Sequence, residues 1–229
     1  MHSANLSFAK QISFFPEEPP PEGDLLLIGT IHRVPCLAPL LKKILFFLKP
    51  AFISLEISPL SWRLRRKKEK AWLGRFERLR SQLPPSLRRA PGLSLLKTTL
   101  QLPYEAEVIE EVARELGIPW VPVDLNRFAR THLRELEGLL TLEGLEEIAR
   151  NPVHSPAKEM ALARLVLTNG ISLPEDEERE ERLARRIELL AGNKPLVHVG
   201  GWRHLPGLLK RLPQARGIFL FQKNLKSSD

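Results

Sequence analysis

Four polar residues in this chain stand where an apolar run ends, and their types could do chemistry together. His32 closes Leu25-Leu26-Leu27-Ile28-Gly29-Thr30-Ile31-His32, and His204 closes Leu196-Val197-His198-Val199-Gly200-Gly201-Trp202-Arg203-His204. Each is a short apolar stretch running into Gly-x-x-His. Glu56 ends Phe52-Ile53-Ser54-Leu55-Glu56, and Asp124 follows the apolar stretch from Ile118 to Val123. Two imidazoles and two carboxylates at one sheet edge make a donor set for a divalent metal, with His32, His204, Glu56 and Asp124 as its ligands. The same groups could equally serve as general acid and base. A single histidine after a strand is more often structural. Two Gly-x-x-His stretches, with carboxylates at two further strand ends, lift these residues above that reading. Gly29 and Gly201 are expected to let the backbone turn sharply and bring each imidazole over its strand end. His198, inside its strand, reads as a hydrogen-bond partner of the site or as a satisfied core histidine. Cys36, beside Pro35, is expected to be packed and not nucleophilic.

The elements that must position these residues can be read in order. Residues 1–23 carry Phe14-Phe15 and then Pro16, Pro19, Pro20 and Pro21, which reads as an irregular arm. Strands are expected over 25–28, 52–57, 118–123, 196–199 and 217–221, as apolar runs of buried-strand length. Between them, 37–48 and 60–83 read as helices, the latter with Leu64, Trp72, Phe76, Leu79 and Leu83 at helical spacings. A loose segment is expected around Pro91-Gly92. Tyr104 to Leu116 carries Ala106, Ile109, Val112 and Ala113 on one side and stops at Gly117, a natural helix terminator. From Asn126 to Gly170 the pattern is helical in pieces, separated by Pro152 and Pro156. Pro174 then opens an acidic first turn, Glu175-Asp176-Glu177-Glu178, suited to the positive end of a helix dipole. A short helix, 204–212, precedes the last strand, and 223–229 reads as a frayed tail. Strands alternating with helices imply an α/β fold with a mostly parallel central sheet, flanked by helices and carrying a helical insertion after the third strand. The expected organisation is one domain over 24–222, with the arm before it and the tail after.

Composition narrows the class. The chain has 229 residues, 43% of them hydrophobic, enough for a substantial core. One cysteine excludes an intrachain disulfide and a multi-cysteine zinc site. With no signal-peptide pattern and no apolar run of membrane-spanning length, a cytoplasmic location is expected. The net charge of +8 is concentrated between Arg63 and Arg80, where only Glu69 and Glu77 oppose the cations. That helix could contact an anionic surface; nucleic acid is not expected, because no aromatic platform or nucleic-acid fold signature accompanies the charge. Its plainer reading is a solvated cover helix. H-E-x-x-H, G-x-S-x-G and the phosphate-cradling glycine loops are all missing, which removes the usual support for zincin, α/β-hydrolase and nucleotide-binding readings.

Gly29-Thr30-Ile31-His32, followed by Leu55-Glu56, resembles the opening of the TraB/PrgY/Tiki-type proteins. Leu102-Pro103-Tyr104-Glu105-Ala106, Val123-Asp124-Leu125-Asn126-Arg127, Glu181-Arg182 and Val199-Gly200-Gly201-Trp202-Arg203-His204-Leu205-Pro206-Gly207-Leu208 extend the likeness over about 24–222. The resemblance implies a fold related to erythromycin-esterase and ChaN-like proteins, and metal-dependent hydrolysis of peptides or small molecules. It implies His32 and His204 as metal or catalytic groups, Glu56 and Glu105 as ligands or general base, and Arg127 and Arg182 as binders of a substrate carboxylate or oxyanion. An intrahelical ion pair with Glu178 is the equally weighted alternative for Arg182. Trp202-Arg203 are bulkier than the residues commonly found between glycine and histidine in the family. On this reading a divalent ion (Mn, Co or Zn) lowers the pKa of a bound water, and Glu56 shuttles the proton. The rival reading is a non-catalytic protein that holds haem or a peptide signal in the same crevice.

Overall fold

The structure, a computed structural model, describes residues 11–151, 156–171 and 177–222. Pro152, the turn residues Pro174, Glu175 and Asp176, and the tail 223–229 lie outside the described residues. Contacts divide the chain into two compact units: one holds Met1–Glu56, Tyr104–Asp124 and Ser155–Ser227, the other mainly Ile57–Pro103 and Leu125–His154. The second unit is thus built from two excursions out of the first.

The first unit is an α/β layer. Its strands are β1 (Ile12–Phe15), β2 (Leu25–Thr30), β3 (Phe52–Leu55), β4 (Trp120–Pro122), β5 (Leu196–Gly201) and β6 (Arg216–Leu220). They form one sheet in the order β1-β6-β2-β5-β3-β4, with every pairing parallel. Parallel strands need crossovers that cover both faces, so central strands read as unbroken apolar runs. All six residues of β2 and all six of β5 are buried. The unit's helices are α1 (Ala38–Leu48), α4 (Tyr104–Leu116), α7 (Pro156–Thr168), α8 (Glu177–Leu190) and α9 (Leu205–Arg211). Gly117, at φ 68°, ends α4 as expected.

The strand order places the site. From β2 the chain crosses towards β3, whereas from β5 it crosses back to β6. Adjacent strands whose connections leave in opposite directions open a crevice beyond their carboxyl ends. β2 and β5 are those neighbours, with Gly29 opposite Gly200 and Thr30 opposite Gly201. The two Gly-x-x-His stretches, far apart in sequence, are therefore side by side at the switch point.

The second unit is helical: α2 (Pro59–Gln82), α3 (Pro91–Leu100), α5 (Asn126–Gly138) and α6 (Leu142–Arg150). It has its own core, with Trp72, Phe76, Leu96, Leu100, Leu133 and Leu145 buried together. Arg63, Arg66, Lys67, Lys70, Arg75 and Arg78 of α2 are exposed. Arg65, by contrast, is buried and bonds the carbonyls of Thr99 and Gln101.

Four expectations need correction. Ile12–Phe15 is a sheet strand paired with β6 and not part of an irregular arm; its four residues sit on the edge, before the proline run begins. Pro91-Gly92 begins helix α3, since proline suits the first helical turn, where its missing N–H costs nothing. Gly29 and Gly201 do not adopt left-handed backbone; among the described glycines Gly117 and Gly170 do. Cys36 is exposed, and partial burial pushes its thiol up, which keeps it protonated.

Candidate active site

Beyond the carboxyl ends of β2, β5, β3 and β4 two polar groupings meet. The first is a dyad. His32 Nδ1 lies 2.8 Å from Glu105 Oε1, and Thr30 donates its hydroxyl to the same oxygen at 2.8 Å. Glu105 stands in the first turn of α4, where the helix dipole favours a negative charge. It is 1% exposed, and its Oε2 has no hydrogen-bond partner among the described residues. The His32 side chain remains 44% exposed. Burial works against its charge, but the charge and hydrogen bond of Glu105, with help from Glu56, outweigh it, and the His32 pKa is pushed up to about 9.

Local backbone aims this imidazole. Arg33, the next residue, has φ 65°, the left-handed conformation that non-glycine residues adopt rarely and at a cost of about 1–2 kcal/mol. Gly201 provides the floor: a Cβ there would come within 2.8 Å of His32 Nε2. Close approach, not a turn, is what this glycine allows.

The second grouping surrounds Glu56, which follows β3 directly. Glu56 Oε2 accepts the Gly201 N–H at 2.9 Å, and Oε1 accepts from Arg179 Nη2 at 2.8 Å. Arg179 Nη2 also reaches Asp124 Oδ2 at 2.8 Å, its Nε reaches Oδ1 at 3.2 Å, and its Nη1 lies 3.3 Å from His204 Nε2. His204 Nε2 is 3.5 Å from Glu56 Oε1. Its Nδ1 lies 3.4 Å from Oε1 of Glu180, a residue only 3% exposed whose other oxygen takes Arg211 Nη1 at 3.0 Å. Burial lowers the His204 pKa, but the Glu180 hydrogen bond and the Glu56 charge prevail and raise it. Arg186 Nη1 donates to the carbonyls of Val123 and Asp124 and so holds the end of β4. His198 is 1% exposed, with Nδ1 3.0 Å from Ser54 Oγ. Burial and the charge of His204 push its pKa down to about 3, so it stays neutral.

Of the residues singled out from sequence, His32, Glu56, Glu105, Asp124 and His204 all lie in this crevice. Glu56 links the two halves, holding Gly201 under His32 on one side and facing His204 on the other. Arg182 lies elsewhere: on the exposed face of α8 it pairs with Glu178 at 2.9 Å. Arg127 is exposed in the first turn of α5, in the second unit. Three participants had no sequence signal: Arg179, Glu180 and Arg211. Arg179 and Glu180 stand in a run where nearly every residue is charged, and Arg211 closes a short helix beside Lys210, so charge alone does not mark which of them are buried. A cavity of about 410 Å³ on α7, lined in part by Met160, Arg164, Leu165 and Phe221, contains none of the site residues.

As a cage for a divalent ion the four expected ligands do not fit. Glu56, Asp124 and His204 all direct donor atoms to the Arg179 guanidinium, whereas His32, with Nδ1 on Glu105, keeps Nε2 outside that cluster. Among the described residues no three His, Cys, Asp or Glu side chains are disposed to hold a metal ion. Also among those residues, no helix is long and apolar enough to cross a membrane. Comparisons with family models, with curated proteins and with solved structures each returned no match.

Proposed function

We propose that this chain is a hydrolase of ester or amide bonds, with His32 as its general base. The Glu105–His32 dyad carries this reading. A buried carboxylate on Nδ1 fixes the tautomer and leaves Nε2 to accept a proton, as hydrolytic catalysis requires. His32 Nε2 takes the proton of a water that attacks the carbonyl, the Glu105 charge stabilises the resulting imidazolium, and the proton then passes to the leaving group. The resemblance to TraB/PrgY/Tiki-type proteins supports hydrolysis. The metal step it also implies forms no part of this mechanism, because Glu56, Asp124 and His204 are engaged by Arg179.

With its pKa at about 9, His32 is neutral in only about one molecule in a hundred at pH 7. Activity should therefore rise about tenfold per pH unit towards a plateau near 9. A panel of aryl esters and fluorogenic peptides, assayed from about pH 6 to 10, tests this, with His32→Ala expected to lose about 10²- to 10⁴-fold. Failure to hydrolyse any member of the panel, or full activity in His32→Ala, would refute the assignment.

A further inference from the structure

The position between Glu56, Asp124 and His204 is filled by a cation that the chain itself supplies. Arg179 enters from the first turn of α8 and spends Nη2 on both carboxylates, Nε on Asp124, and Nη1 at His204. Glu56 and Asp124 are 8% and 7% exposed, and carboxylates this buried are costly unless paired with a cation. A guanidinium satisfies two carboxylates at once because its N–H groups form a planar fork with fixed spacing. A divalent ion would need the same lone pairs at about 2.0–2.2 Å, in space the guanidinium fills.

We propose that Arg179 is the resident cation of this crevice, standing where a divalent metal would otherwise sit, so that the native protein has no use for one. Its neighbours are arranged to keep it there. Glu180, the next residue, is anchored by Arg211 and His204. Arg186, two turns further along α8, is tied to the end of the strand that carries Asp124. The first turn of α8 is thereby held against the strand ends. If Arg179 is removed, Glu56, Asp124 and His204 lose the guanidinium they share, and two carboxylates with one imidazole are the donor set of a metal site. Arg179 holds this place whether or not the crevice hydrolyses anything, so the readout is metal binding and not turnover.

Cobalt(II) titration provides it, because visible absorption reports the ion entering a nitrogen- and oxygen-ligated site. Wild type should show no stoichiometric band and no shift in melting temperature with Co²⁺ or after chelator treatment. Arg179→Ala should melt lower than wild type, recover on adding Co²⁺, and bind the ion at least about tenfold more tightly. Adding His204→Ala to that variant should abolish the band. Arg179→Lys, which keeps a cation in place, should behave like wild type and covers the case in which Arg179→Ala does not fold. A Co²⁺ band in wild type that disappears in His204→Ala or Glu56→Gln would overturn the proposal. So would an Arg179→Ala that folds yet gains no affinity, or an Arg179→Lys that binds Co²⁺ as tightly as a metal site should.

Discussion

Replacing Glu105 by Gln should bring the His32 pKa down from about 9 to 6.5 or below, because the opposing effect of burial remains when the carboxylate charge is gone. The size of the coupling follows from the shift. A rise from 6.5 to about 9 corresponds to about 3 kcal/mol at about 1.4 kcal/mol per unit. Because the His32 side chain is 44% exposed, solvent screening reduces this to on the order of 1 kcal/mol. The sign is set by the raised folded pKa: the contribution is fully present below 6.5 and lost as pH rises through about 9. Wild-type stability should therefore decline across that window by more than the stability of Glu105→Gln does. His204 shifts in the same direction and His198 in the opposite one, but both are common to the two proteins and drop out of the difference. Overall stability is a poorer readout, since Gln also removes a buried carboxylate whose Oε2 has no hydrogen-bond partner among the described residues. The assay is a histidine titration by NMR, with urea unfolding at several pH values beside it. A His32 pKa in Glu105→Gln within about half a unit of wild type, in a folded protein, would show that Glu105 is not what holds His32.

Two more outcomes follow from local geometry. Gly201→Ala should displace His32, because its Cβ would lie 2.8 Å from Nε2; we expect a lower His32 pKa and at least about tenfold lower hydrolysis, and unchanged values of both would remove Gly201 from the site. At Arg33, φ 65° suits glycine and not a β-branched residue, so Arg33→Val should cost about 1–2 kcal/mol while Arg33→Gly is tolerated; equal urea midpoints for the two variants would contradict this.

Much of the fold was legible because hydrophobic runs and breakers are local signals. Strands over 25–28, 52–57 and 196–199 could be placed, the second of them two residues longer than the observed Phe52–Leu55, and Gly117 as a helix end, without any knowledge of neighbours. What misled was equally local. Four residues before a run of prolines gave no pattern long enough to reveal the edge strand Ile12–Phe15, and Pro91 looked like a breaker although it starts a helix. For the site, position after a strand was informative: Glu56, Asp124, His32 and His204 all reach the crevice because parallel strands deliver their ends to one edge.

By itself the sequence determined which residues reach the switch point, since strand direction and strand end are enough to specify that. Only the tertiary structure decided what those residues face. Helix α8 opens Glu177-Glu178-Arg179-Glu180-Glu181-Arg182, where charge alone separates no face; only Leu183, Ala184 and Ile187 further along, at helical spacing from Glu180, point to the inner one. Packing makes the distinction: the Glu180 side chain is 4% exposed and that of Glu178 55%, while Arg179 is 24% exposed and Arg182 51%. Identical side chains two or three residues apart thus become a buried counter-ion and a solvated ion pair. The physical reason is that burial is a property of the surface a helix lands on, and a run of mixed charges does not by itself say which of them that surface will pair.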